Sequence, residues 1–291
     1  AGRQYIGSIE LSNRSENHIF DGEHGTVAIL WSEQPVTEQV FLGPEIQVKD
    51  IWGRPVPIQP LVYPSGSVAS QLLVGQWPLI VSNVDKNLVR WQQKFELNSQ
   101  HLSSQIGDKG VLPITIQNTL SCPAEVAVAV FASSLFEVGS SHKTVTMPTG
   151  HSQELNLTYD FLTDASAGNH PVEFAFHVQG DREYRFSIHR EVMLGHQDIE
   201  LLWNMERLSD EIVEMQVKVI NNTPTPVSFD CKLFPRGAAY QRVLIVDADK
   251  GSTLHTRRVQ IAKDKVSGDS PLWVRCEHVG SSLVLNYRLN E

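Results

Sequence analysis

Cysteine is scarce in this chain. Cys122, Cys231 and Cys276 make an odd number, and no two stand in a CxxC pair. That spacing excludes the ribbons and knuckles that need four closely set soft ligands around zinc. Eleven histidines are scattered without an HxH or HExxH pair, so no metal site or cofactor is expected. No GxSxG elbow occurs, and "PSGSVAS" (64–70) reads as a polar loop. No apolar run approaches the ~18 residues of a membrane span, so membrane insertion by this segment is not expected. "AGRQYIGSIE" lacks the basic and apolar blocks of a signal peptide. A trimmed leader and no leader read alike.

A basic face is also missing. The formal charge is −9. Residues 1–86 hold 5 basic against 9 acidic side chains, residues 87–192 hold 7 against 11, and residues 193–291 hold 12 against 13. Nucleic-acid binding depends on neutralising phosphates, and an acidic body argues against it. The local exception is Arg257–Arg258 with Lys263 and Lys265, which reads as a solvated strand edge guarded by charge.

What the chain has in abundance is two-residue alternation. "ITIQNTL", "EVAVAVF", "ELNLTYDF", "VEFAFHV", "YRFSIHR", "MQVKVIN", "VSFDCKLF", "VLIVDAD" and "SLVLNYRL" alternate, or run in β-branched and aromatic residues, as strands with one buried face do. Between them lie clusters of turn residues, "NTLSCPAE", "TDASAGNHP", "NNTPTP" and "SGDSP". No window reads as an amphipathic helix; the best attempt, "NMERLSDEIVEMQ", gives way to alternation at Ile212. The prediction is an all-β chain.

An internal echo sets the boundaries. "LPITIQNTLSCPAEVAVAVF" (112–131) and "MQVKVINNTPTPVSFDCKLF" (215–234) share one plan: a strand ending on Asn, a polar Thr/Ser/Pro turn, and a second apolar strand. Each follows a segment read as another strand, "LVRWQQKFEL" (88–97) and "DIELLWNMERL" (198–208), with Trp91 and Trp203 in comparable places. The repeat of about one hundred residues is the size of an immunoglobulin-like sandwich. Three consecutive antiparallel β-sandwich domains are therefore expected, at 1–86, 87–192 and 193–291, the last two immunoglobulin-like.

In the first segment, Ile29–Leu30–Trp31 closes one strand, Asp50–Ile51–Trp52–Gly53 forms a turn after another, and Pro78–Leu79–Ile80 opens a last one. Over about residues 5–84 this order resembles the small β-sandwich that follows the catalytic barrel in many glycoside hydrolases. The later segments, marked by Asn118, by Asn221–Asn222 and by "DASAGNHPVEFAFHVQGDREYRFSIHREV", resemble the immunoglobulin-like accessory domains of secreted or surface-anchored bacterial carbohydrate-active proteins. The resemblance implies a non-catalytic accessory region of a larger extracytoplasmic protein, expected as a monomer, with an upstream catalytic domain or a polysaccharide as partner; adhesion or protein–protein contact through edge strands of the two immunoglobulin-like domains is a further alternative. The start on a β segment would agree with an excised fragment.

The stretch "EIQVKDIWGRPVPIQ" (45–59) supports two readings. In one, Trp52 is a platform for a sugar ring while Asp50 and Arg54 bond its hydroxyls. In the other, preferred here, Asp50 accepts backbone N–H groups in a turn and Gly53 supplies a positive φ. Trp52 and Trp77 lie beside Gly or Pro and are the candidates for exposure, with Tyr63 a further member of a carbohydrate platform. The other four tryptophans sit in alternating runs, where core packing is the default. "VDADKGS" (246–252) lacks the closing Glu of a calcium loop and reads as a hairpin turn. Cys231 and Cys276 lie in two strand-like runs and can face each other as a disulfide; two buried thiols packed as small hydrophobes is the preferred alternative. Nothing fixes a pair of carboxylates at glycosidase spacing, so no catalytic residue is expected.

Overall fold

The computed structural model describes residues 2–104, 109–132, 134–135, 142–162, 164–266 and 271–289. The turn read at 267–271 therefore lies, for residues 267–270, outside the described residues. The fold is all-β, with three successive pairs of sheets.

The first pair contains β1 (Gln4–Gly7), β2 (Glu16–Asp21), β3 (Thr26–Trp31), β4 (Val36–Val40), β5 (Gln47–Lys49), β6 (Gln59–Val62), β7 (Val68–Val74) and β8 (Leu79–Val84). They form a sheet in the order β1-β2-β3-β8-β5 and another in the order β4-β7-β6. Ile19, Leu30, Leu72, Val74 and Val81 fill the space between. Glu38 is buried with them, and accepts hydrogen bonds from the Asn13 N–H, the Ser15 N–H and the Ser12 hydroxyl. Its carboxyl group thus ties down the loop before β2.

A helix follows, α1 (Lys86–Gln93), where alternation had suggested a strand over 88–97. The correction has a local cause. Asp85 caps the helix, its carboxylate accepting from the Asn87 N–H at 2.9 Å. Leu88, Trp91 and Gln92 fall at i, i+3 and i+4 and are all buried. The helix packs between neighbours: Val89 enters the first core, whereas Leu88 and Trp91 enter the second.

The second pair contains β9 (Glu96–Leu97), β10 (His101–Ser103), β11 (Gly110–Gln117), β12 (Ala124–Phe131), β13 (His142–Met147), β14 (Ser152–Tyr159), β15 (Gly168–Gln179) and β16 (Glu183–Gly195). Its sheets run β10-β16-β15-β12-β13 and β14-β11-β9. Pairing is antiparallel except for β10, which lies parallel to the end of β16. Phe174, Phe176 and Phe186 are the large side chains of this core, with Phe176 and Phe186 stacked at 5.0 Å. The cluster extends across to Phe41 and Ala69 of the first pair.

The third pair contains β17 (Ile199–Arg207), β18 (Ile212–Asn221), β19 (Val227–Phe234), β20 (Gln241–Ala248), β21 (Gly251–Gln260), β22 (Leu272–His278) and β23 (Val284–Leu289). Its sheets run β17-β18-β21 and β20-β19-β22-β23. Segment 198–208 is thus a strand, as its alternation predicts, and Trp203 lies on it. The boundary read at 192/193 falls inside β16. Backbone bonds stitch this pair to the second: Val284 N–H donates to Ser104 O at 3.0 Å, and Ala167 N–H to Asn286 O at 2.7 Å.

Candidate functional site

The turn after β5 forms as Asp50 and Gly53 require. One Asp50 oxygen accepts from the N–H groups of Trp52 and Arg54, each at 2.9 Å, and the other accepts from Arg54 Nε at 2.6 Å. Gly53 takes a φ of 80°, which a side chain would oppose. These bonds hold the Asp50 carboxyl below the usual carboxylate range, burial working against them. The turn leaves Trp52 61% exposed, and the loop before β8 leaves Trp77 64% exposed. Their ring centroids are 5.6 Å apart and tilted by 55°. The Arg54 guanidinium stands 4.9 Å from the Trp52 ring centre. The two readings of this stretch therefore meet in one structure: a bonded turn whose indole projects into solvent beside a second indole.

Tyr63 is not part of this group. It lies at the junction of the first and second pairs, against Phe41 at 5.7 Å and His189 at 5.3 Å, and its hydroxyl donates to Gln39. Burial, reinforced by the nearby Glu173 charge, pushes the phenol up to about 12. Burial likewise drives the His189 imidazole below its ordinary value, so it stacks here uncharged. Sequence could not find this, because Phe41, Tyr63 and His189 are brought together only by the packing of two separate sandwiches.

The same junction carries most of the polar convergence. Glu173 accepts from Ser65 at 3.0 Å and Ser187 at 2.6 Å, and the Ser67 hydroxyl stands 2.8 Å from that of Ser187. The "PSGSVAS" loop is thus a docking loop. Asp85 pairs with Arg182, Glu10 with the half-buried Arg190 at 3.0 Å, and Arg14 with Glu191 at 2.9 Å. Beside these pairs lies a cleft of about 610 Å³, with Phe41, Ile46, Ile58 and Leu88 below and Asp85 and Arg182 at its rim. Its volume suits a small ligand. Its charged groups, however, are already matched: Glu183 pairs with Arg185 at 2.6 Å and with His177 at 2.8 Å, and the Tyr184 hydroxyl bonds Asp181 and Asn87.

The chemistry such a site can perform follows from its protonation states. In the cleft, Glu183 is held below the ordinary carboxylate range, chiefly by its bond to Arg185; elsewhere Asp21, Asp50, Glu214, Asp230 and Glu277 are held below it too. A general acid needs the opposite displacement. Among the described residues no three or more His, Cys, Asp or Glu side chains converge as a metal site would need. Asp247 lies on β20 with a φ of 49°, its N–H donating to Ser228 Oγ at 2.9 Å, and β20 and β21 belong to different sheets, so the hairpin read at 246–252 is instead a connection between two sheets that turns at Asp249–Lys250.

Cys231 and Cys276 stand directly opposite each other on β19 and β22, fully buried, with both thiols free. Burial pushes the Cys276 thiol up, and the neighbouring Cys231 adds to it.

No protein-family model matches this chain, and no curated protein sequence matches it. Solved structures similar to it include the YadV chaperone, at 13% identity over 67% of this chain and 100% of that one, with a TM-score of 0.28. A DUF4785 family protein from Legionella pneumophila is similar at 12% identity over 99% of this chain and 98% of that one, with a TM-score of 0.25. A tetra-tandem repeat from the extending region of a large adhesion protein is similar at 12% identity over 94% of this chain and 87% of that one, with a TM-score of 0.22. Likeness at this level assigns neither a family nor an activity.

Proposed function

We propose that this chain is a non-catalytic structural and interaction region of a larger extracytoplasmic protein, its three sandwiches serving as a spacer. The observation that supports it is the use made of Asp85 and Arg182. They lie in a cleft where chemistry would be expected, yet they are bound to each other across a junction, and Asp85 also caps the connecting helix. The neighbouring Glu173, Glu10 and Arg190 are engaged in the same way. Ionisable groups here hold sandwiches to one another. The glycoside-hydrolase resemblance of the sequence makes an upstream catalytic region the proposed partner.

A spacer must keep its length. Small-angle scattering of the intact chain should give one rigid particle at low and high salt, and no glycoside in a broad panel should be turned over. Turnover that vanishes on replacing a single Asp or Glu would refute the non-catalytic reading.

A second reading is favoured by Trp52 and Trp77: a glycan platform. Two exposed indoles 5.6 Å apart, next to Asp50 and Arg54, offer apolar faces for sugar rings and polar groups for hydroxyls. Titration with soluble polysaccharides should then show binding that Trp52→Ala and Trp77→Ala each abolish. Flat titrations would remove this reading and leave the first untouched.

A further inference from the structure

The third pair of sheets has an open side. β20 ends one sheet and β21 ends the other, and neither edge pairs with a further strand among the described residues. The two strands are joined by the turn at Asp249–Lys250 and diverge from it. At the far end the Gln241 side chain donates to the Gln260 carbonyl and bridges them again. Between these closures lies a slot of about 520 Å³ whose floor is Trp203, Met215 and Val217. The floor is core, since Met215 and Val217 are buried.

Three other edges of this protein are blunted. β6 carries Pro60, and β1 and β5 are very short. β20 and β21 contain no proline and display Leu244, Val246 and Leu254 at 52%, 61% and 63% exposure. Two unpaired edges over an apolar floor are what an added strand requires: backbone groups to bond, and a surface for every second side chain.

Charge selects the occupant. Arg257 pairs in register with Met215 and His255 with Val217, so both side chains share the face of the floor. Arg257 has no ion-pair partner among the described residues, whereas Arg242 is held by Asp230 and Arg258 by Glu214. The buried His255 Nε2 has no hydrogen-bond partner. No carboxylate lines the slot, in a chain whose net charge is −9. We infer that the slot between β20 and β21 takes an extended strand of a partner protein whose floor-facing side chains, every second residue, are apolar over Met215 and Val217 and include one carboxylate that meets Arg257 and His255. The same guanidinium that receives a carboxylate repels a strand bearing Lys or Arg, so one residue provides both attraction and exclusion.

The test uses the intact chain and two labelled eight-residue peptides, Ser alternating with Val in both, with one Val replaced by Glu in the first (the Val/Glu peptide) and by Lys in the second (the Val/Lys peptide), followed by fluorescence anisotropy. The Val/Glu peptide should bind, and more weakly as salt rises. Arg257→Lys should retain binding, while Arg257→Glu should weaken it about tenfold or more and admit the Val/Lys peptide. Leu254→Glu, which places a carboxylate on the rim, should also weaken the Val/Glu peptide. Thermal midpoints of all variants establish that they fold. Equal binding of both peptides to the native chain, or of neither, overturns the proposal. So does Arg257-dependent dimerisation in light scattering, which would make a second copy the occupant. If Arg257→Val merely induces aggregation while native protein ignores the Val/Glu peptide, the arginine is only an edge guard and the proposal falls.

Discussion

Asn118 and Asn221 do the same work in two different sandwiches. Each is buried at the end of a strand, each accepts from the N–H two residues ahead, and each donates to the carbonyl four residues ahead. Each also bonds a distant carbonyl, Met147 for Asn118 and Ala248 for Asn221. An amide is needed because one end must accept while the other donates. Asn118→Ala and Asn221→Ala strip buried backbone groups of their partners, and each should cost about 2–3 kcal/mol. Asn→Asp, which cannot donate, should cost at least as much. Denaturant midpoints measure both; a loss under ~0.5 kcal/mol would show that the turns hold without the side chain.

The tryptophans divide sharply. Trp91 is buried between Leu88 and the phenylalanines of the second core, 6.4 Å from Phe186. Trp91→Ala should cost about 3–5 kcal/mol. Trp52→Ala and Trp77→Ala remove exposed rings and should change stability by less than ~0.5 kcal/mol each. Chemical denaturation of the three variants separates scaffold from surface.

The reason that contrast is only half visible in the sequence lies in where each ring stands. Trp52 and Trp77 are beside Gly and Pro, and turns expose what they carry, so their exposure is legible. Trp91 follows Leu88 and Val89 in a run that alternates well enough to read as a strand. Asp85, the cap that makes it a helix, stands outside that run. Alternation gave the strands around Asn118 and Asn221 because one face of each is buried. It could not give the Phe41–Tyr63–His189 cluster or the slot beside Met215, since both depend on how separate sheets meet.

The Phe41–Tyr63–His189 cluster makes stability depend on pH in two windows. Tyr63 is raised from 10.0 to about 12, so folding favours the neutral phenol. Its contribution is complete below pH 10 and is lost as pH climbs through about 12. His189 is lowered from 6.5, so folding favours the neutral imidazole. Its contribution is complete above the ordinary value and fades as pH falls below it. Thermal midpoints across pH should show both losses, the alkaline one shrinking in Tyr63→Phe and the acid one in His189→Phe. Unchanged profiles would mean that the junction opens before these groups titrate.

Thiol reactivity should follow burial. Cys231 and Cys276 are fully buried and the Cys276 thiol is raised, so neither is open to a reagent in the folded chain. Cys122 is only partly covered. In native protein an alkylating reagent should label Cys122 first, with Cys231 and Cys276 following only at the rate of unfolding. Replacing Cys231 by Val should be tolerated within about 1.5 kcal/mol, as a buried thiol of this kind acts as a small hydrophobe. A mass lower by two hydrogens, removed by reductant, would instead show that the opposed pair can close into a disulfide.

Asp85 serves the helix and the junction through different oxygens, and substitutions can separate the two. One oxygen accepts from Asn87 N–H at 2.9 Å, and the other receives Arg182. Asp85→Asn retains a good cap but gives up the charge; Asp85→Ala gives up both. Losing the cap should cost about 1 kcal/mol, so the alanine variant should be less stable than the asparagine variant by roughly that amount. Arg182 is mostly exposed, and its coupling to Asp85 should be small, about 0.2–1 kcal/mol in a double-mutant cycle with Arg182→Ala. The larger effect should be local. Hydrogen exchange in α1 should rise in Asp85→Ala but not in Asp85→Asn, whereas exchange in the β15–β16 turn should rise in both. If both substitutions leave the β15–β16 turn as protected as before, the ion pair contributes nothing to the junction, and Phe41, Tyr63 and the Ser–Glu173 bonds hold it alone.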